Sequence, residues 1–265
     1  MAKHWDAYDR RWQQLGAPLR PPGDVVRVVE RVLEPAGKTV LLLGVTPELS
    51  ALSENMVAVD SSAPMIARIW PGDDGSRRAM LGDWLALPVE AGSMDCVVGD
   101  GCLSAVDSRD ARLGLLREIA RVLAPGGAAS VRLFAAPEQR EDLDAVRRDT
   151  RAGAVANFHV LKWRVAMAGV SDDADCRIAV QSILDTIHAM FPDRDALASL
   201  TGWRRETIDT IDLYAGSPAV YTFATAGMLA EEASRYFEDV SLVASGDYPL
   251  AERCPLLVLR RPKVS

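Results

Sequence analysis

Two apolar runs near the start of the chain set its organisation. Residues 39–45 (TVLLLGV) and 56–60 (MVAVD) are rich in aliphatic and β-branched side chains and lack the polar alternation of a strand with one wet face, so they predict parallel strands buried on both sides. The few residues between them leave room for a turn and a short helix. Thr46, Pro47 and Glu48 suit the start of that helix, because a hydroxyl caps free amides, proline fits the first helical position and an acid suits the positive end. The product is a β-α-β unit that ends in the carboxylate of Asp60. Ligands of open parallel sheets sit at the carboxyl ends of the strands, which brings Gly44, Val45, Thr46 and Asp60 to one crevice, the candidate active site.

The pattern continues along the chain. Residues 5–15 read as a short amphipathic helix, broken by LRPPG at 19–23, and Asp24 is placed to cap a helix through Leu33 with Val25, Val29, Val32 and Leu33 on one face. Beyond Asp60, Ser61 or Ser62 caps a helix that carries Met65, Ile66 and Ile69 toward the sheet. Residues 78–81 predict a third strand, ending in Gly82, Asp83 and Trp84. Residues 94–99 predict a fourth, ending in Asp100 and Gly101. A helix from Ser108 to Leu123, a sharp turn at APGG (124–127) and a strand at 128–134 follow. Five strand-helix alternations predict an α/β doubly wound sheet. From 137 to about 202 the rhythm turns to helices alone, two longer and one shorter, which predicts a helical cap inserted after the fifth strand. A helix at 225–237 and a hairpin pair at 240–244 and 256–260 complete the sheet.

Composition narrows the classes. Hydrophobic residues at 49% and charged residues at 25% are ordinary for a globular chain, and no apolar run reaches membrane-spanning length. The N-terminal residues lack the apolar core of a secretory signal, so a cytoplasmic location is the expectation, with no membrane partner. A net charge of −7 argues against a nucleic-acid surface. Cys96, Cys102, Cys176 and Cys254 have neither CxxC spacing nor a nearby histidine pairing, so no metal site is expected.

VLLLG, VAVDSS, GDWLALP, MDCVVGDG and LREIARVLAPGG, taken in order, resemble the successive motifs of class I S-adenosylmethionine-dependent methyltransferases, over residues 40–134. The resemblance implies a Rossmann-like sheet and S-adenosylmethionine as cofactor. It implies Asp60, followed by Ser61, as the acceptor for both ribose hydroxyls, a task that suits an acceptor-only carboxylate. It also implies Asp83 for the adenine amino group, Met65 and Trp84 as walls for the adenine, and Asp100 with Gly101 beside the methionine part. The expected organisation is then N-terminal helices on the core (1–36), a cofactor-binding core (37–136), the cap (137–206) and a C-terminal helix with the last two strands (207–265).

The first motif departs from the family. Leu42, Gly44, Thr46 and Glu48 stand where an acid and three glycines are usual, and Glu48 adds negative charge near the place of the cofactor's carboxylate. The implied activity is methyl transfer to a small molecule, and the alternative is an inactive relative that serves as a ligand- or partner-binding module. Oligomeric state is left open. Methyl transfer needs no nucleophile from the protein, so candidates for proton removal are few: His159 in the apolar stretch 157–169, and Tyr214 and Tyr221 at the return to the sheet.

Overall fold

The computed structural model describes residues 9–263, so residues 5–8 of the expected N-terminal helix lie outside it. A 3-10 turn, Asp9–Gln14, leads to α1 (Gly23–Leu33). Pro22 occupies the cap position of α1 and no side chain caps it. Asp24 lies instead in its first turn, where its carboxylate pairs with Arg27 and accepts the amide of Asp247 at 3.0 Å. The cap role expected of Asp24 is corrected accordingly.

Strand β1 (Thr39–Leu43) has Val40, Leu41 and Leu42 fully buried, as the unbroken apolar run requires. It lies between β2 (Asn55–Asp60) and the later β4, with Leu41 opposite Val57 on one side and Val97 on the other. The link from β1 to β2 is not an α-helix. Pro47–Leu49 makes only a 3-10 turn, and Thr46 accepts no capping hydrogen bond through its side chain. After β2, α2 (Ala63–Ile69) is capped by Ser62, whose Oγ accepts the Met65 amide at 3.3 Å.

β3 (Arg77–Leu81), β4 (Met94–Asp100), α3 (Arg109–Val122) and β5 (Leu123–Arg132) continue the alternation. The turn expected at 124–127 is absorbed into β5 as an exposed kink at Pro125 and Gly126, where the register against β4 shifts.

The region after β5 is not helices alone. It holds α4 (Leu143–Arg151), α5 (Phe158–Ala168), β6 (Arg177–Ala179), α6 (Val180–Met190), α7 (Arg194–Thr201) and α8 (Arg205–Ile208). β6 pairs antiparallel with β7 (Val220–Thr222), so a two-stranded ribbon braces the cap. Asp173 makes that possible: its Oδ1 accepts the amides of Asp175 and Cys176, turning the chain out of the helical rhythm.

α9 (Ala226–Ala233) stops before the expected residue 237, and β8 (Phe237–Val243) and β9 (Leu256–Pro262) pair antiparallel. The sheet order is β3-β2-β1-β4-β5-β9-β8, with the first five strands parallel. Strand order reverses between β1 and β4, and that switch point opens a crevice at their carboxyl ends.

Candidate active site

A cavity of about 330 Å³ lies over the switch point. Its floor is made by chain ends. Gly44 follows β1 with φ +97, a conformation that suits glycine. A Cβ there would stand 3.8 Å from both Asp60 Oδ2 and the Trp84 ring, so the backbone meets the cavity bare between them. Asp60 ends β2; its Oδ1 accepts the Ser62 amide at 2.8 Å, which fixes the carboxylate beside Gly44. Trp84 is held by its indole N–H, which donates to the Val59 carbonyl at 2.7 Å. Val45, Thr46, Ser61, Met65, Asp100 and Gly101 complete the floor.

Gly101 has φ +67, and a Cβ would strike the ring of Phe134, so glycine is required both by conformation and by space. Asp100 faces Arg132 in a two-pronged pair, Nη2 to Oδ2 at 3.0 Å with Nε to Oδ1 as the second bond, and both side chains are almost fully buried. Burial raises the Asp100 carboxyl from its ordinary value, and the Arg132 charge opposes that rise. Asp100 therefore has a protein partner already. Glu48 is likewise paired, with Arg20 from the N-terminal segment.

The opposite wall comes from scattered elements: Trp12, Leu15 and Leu19 of the N-terminal segment, Ser104 and Ala105 after β4, Phe134 after β5, Trp163 of α5 and Tyr221 of β7. Trp163 meets Phe134, Tyr221 and Phe223 edge to face at 5.3, 5.6 and 5.3 Å. The N-terminal segment is tied down by Asn157 Nδ2, which donates to Ala17 O at 3.0 Å, and by a 3.1 Å contact between His159 Nε2 and Gln14 O. Among these wall residues the sequence pointed to Tyr221 and to the apolar stretch 157–169 that carries Trp163. Phe134 stood at the end of a predicted strand, and the others carry no local motif.

Three expected residues lie elsewhere. Asp83 is exposed and its Oδ1 accepts the Leu85 amide at 3.0 Å, so it shapes a turn outside the cavity lining. His159 is buried against Gln14 and does not line the cavity. Burial, helped by the Lys162 charge, lowers its pKa to about 3, which leaves it a neutral ring. Tyr214 is fully buried behind Tyr221, its ring 6.3 Å away. Lys162, next to Trp163, is also fully buried, and burial alone lowers its pKa to about 7. The nearby Cys102 thiol is pushed up to about 12, mainly by burial, which makes it inert at neutral pH.

Residues 44–131 match the model of a methyltransferase domain. That stretch spans the floor of the cavity from Gly44 to Gly101. Over those residues, about a third of its length, the chain is similar to a methyltransferase domain.

No curated protein matches the chain. Among solved structures, the chain resembles the CcbJ methyltransferase from Streptomyces caelestis (15% identity, TM-score 0.56, 98% of each chain covered). It also resembles the N-methyltransferase NodS from Bradyrhizobium japonicum WM9 in complex with S-adenosyl-L-homocysteine (12%, TM-score 0.52, 98% of this chain and 100% of that one). A Rhodobacter sphaeroides structure provisionally named a Zn-dependent alcohol dehydrogenase is equally similar (15%, TM-score 0.57, 96% and 98%). At these identities the likeness is one of fold. Among the described residues there is no cluster of three metal-ligating side chains, and no helix is long and apolar enough to cross a membrane.

The floor fits the cofactor. A carboxylate at the end of β2, acceptor-only when ionised and oriented by the Ser62 amide, suits a ribose, and the bare backbone at Gly44 admits close approach. Met65 and Trp84 supply apolar surface on the same side. Asp83 does not join them, so an adenine amino group has no carboxylate there.

Proposed function

We propose that the chain transfers the methyl group of S-adenosylmethionine to a small organic acceptor, with Asp60 holding the ribose and Gly44 to Thr46, Met65, Trp84 and Gly101 enclosing the rest of the cofactor. The observation that carries this reading is the union, in one cavity, of a bare-backbone floor at the sheet's switch point with an aromatic wall from the cap and the N-terminal segment. A wall of that kind closes over a molecule of limited size, which favours a small acceptor over a polymer. The acidic charge balance agrees with an acceptor other than nucleic acid, and a cytoplasmic setting belongs to the same reading.

The bound cofactor supplies a methyl group on a sulfonium, ready for in-line displacement. The protein's own work is to align and to dry the site. Trp12, Phe134, Trp163 and Tyr221 exclude water and hold the acceptor against the floor. His159 and Cys102 take no part in proton transfer, since one is neutral and turned to Gln14 and the other keeps its proton. Tyr221 is the one expected proton-handling side chain that lines the cavity.

The test is formation of S-adenosylhomocysteine from S-adenosylmethionine when the protein is given a low-molecular-weight extract or, separately, protein and RNA fractions. Turnover with the small-molecule fraction is expected. Turnover confined to a macromolecular fraction would contradict the reading.

A further inference from the structure

Three rings of the acceptor wall share one feature. Arg20 lies over the Trp12 ring at 5.7 Å, Arg132 over Phe134 at 5.0 Å, and Lys162 over Trp163 at 5.7 Å. The three rings line the cavity, whereas Arg20, Arg132 and Lys162 are not among its lining residues. A cation on one face of a π system draws electron density toward itself and uses the attraction that a ligand cation would otherwise find. Each ring therefore has less of that attraction left for a ligand in the cavity.

The charges themselves are not offered to a ligand. Arg132 is locked to Asp100, Arg20 is paired with Glu48, and Lys162 is fully buried with its Nζ also 5.0 Å from the Tyr214 ring. Among the described residues that line the cavity none is basic, and on the wall none is acidic. An anionic acceptor would be desolvated there with no basic side chain among the described lining residues, and an ammonium would meet rings already taken. A neutral, electron-rich ring stacked on or edge-on to these rings escapes both penalties and gains the aromatic contact that a saturated neutral molecule lacks.

We propose that the methyl acceptor is a neutral electron-rich aromatic, of the phenol or hydroxy-heteroaromatic class, selected by the cation-paired rings Trp12, Phe134 and Trp163. This rests on the methyltransferase reading above, and adds what the acceptor half of the cavity selects.

Four probes of matched shape test it: 2-naphthol, decahydronaphthalen-2-ol, 2-naphthoate and 2-naphthyl-trimethylammonium. Each is titrated calorimetrically into the full protein saturated with S-adenosylhomocysteine, whose own binding is measured first. 2-Naphthol is expected to bind about tenfold more tightly than either ion, and several-fold more tightly than its saturated analogue. Equal or tighter binding of the carboxylate or the ammonium, or binding of none of the four, overturns the proposal. Failure of S-adenosylhomocysteine to bind would count against the methyltransferase reading instead, and the probe order is then read on the protein alone. Arg20→Gln, at a partly exposed position, removes the cation over Trp12 and should shrink the preference for naphthol over the ammonium several-fold. An unchanged ratio would overturn the role of that charge. Lys162→Met repeats the test at Trp163 below pH 7, where Lys162 carries its charge.

Discussion

The two sides of the cavity are built on different principles. The floor uses backbone: the ends of β1, β2 and β4 deliver Gly44, Asp60 and Gly101 to fixed places because the strands beneath them are buried and in register. The wall uses side chains from the N-terminal segment, the β5 end, α5 and β7, each held by packing and by a few long-range hydrogen bonds. A floor of that sort tolerates sequence change in its loops, so one glycine survives where three are usual. A wall of that sort can be rewritten residue by residue, which is where a new acceptor specificity would arise.

The sharpest way to break this comparison is at the two aspartates, which end neighbouring strands and do different work. Asp100 holds the buried Arg132. Asp100→Ala leaves Arg132 buried at 1% exposure without its partner, and should destabilise the fold by about 3–5 kcal/mol in a denaturant titration. A small loss would mean that Tyr248 and the Leu19 carbonyl, both 3.4 Å from Arg132, suffice to hold it.

Lys162 sharpens the wall's side. With a pKa near 7 in the fold and about 10.4 when unfolded, it binds fewer protons folded than unfolded across that window. Stability should therefore fall as pH drops from about 10.5 to 7, by up to about 1.4 kcal/mol per pH unit. Lys162→Met should flatten that slope in melts taken across the range. His159 acts in the same direction lower down, costing stability as pH falls from its unfolded value toward 3.

Glu48 gives the smallest expected effect. Its carboxylate is tied to Arg20, so Glu48→Gln frees a positive charge at the edge of the floor and should tighten S-adenosylmethionine binding by at most about 1 kcal/mol in a wet setting. Weaker binding would show that the pair matters more for holding the N-terminal segment.

The floor was legible in the sequence because it follows from strands. Continuous apolar runs announce buried parallel strands, and the residue after each run must lie at the same edge, so Gly44, Asp60, Asp100 and Gly101 could be placed together without a structure. The wall was not, because Trp12, Phe134 and Trp163 share no spacing and meet only through tertiary packing. α5 is apolar all round, so its periodicity does not say which side meets the cavity. His159 and Trp163 sit one turn apart, yet one faces Gln14 and the other the cavity. Asp83 looked like a ligand because it follows a strand, but a short Asx turn claims its carboxylate. Thr46 failed as a cap because the curtailed link is a single 3-10 turn.

The central claim is that the backbone floor, with Asp60 at its edge, holds the cofactor. It is tested most directly by calorimetric titration of S-adenosylhomocysteine into the parent protein and Asp60→Ala. The account predicts measurable binding to the parent and a loss of about 1.5–3 kcal/mol in the variant, the range for hydrogen bonds to a charged acceptor, with no change in thermal stability of comparable size. Equal affinity in the two, or no binding to the parent at millimolar ligand, would contradict it.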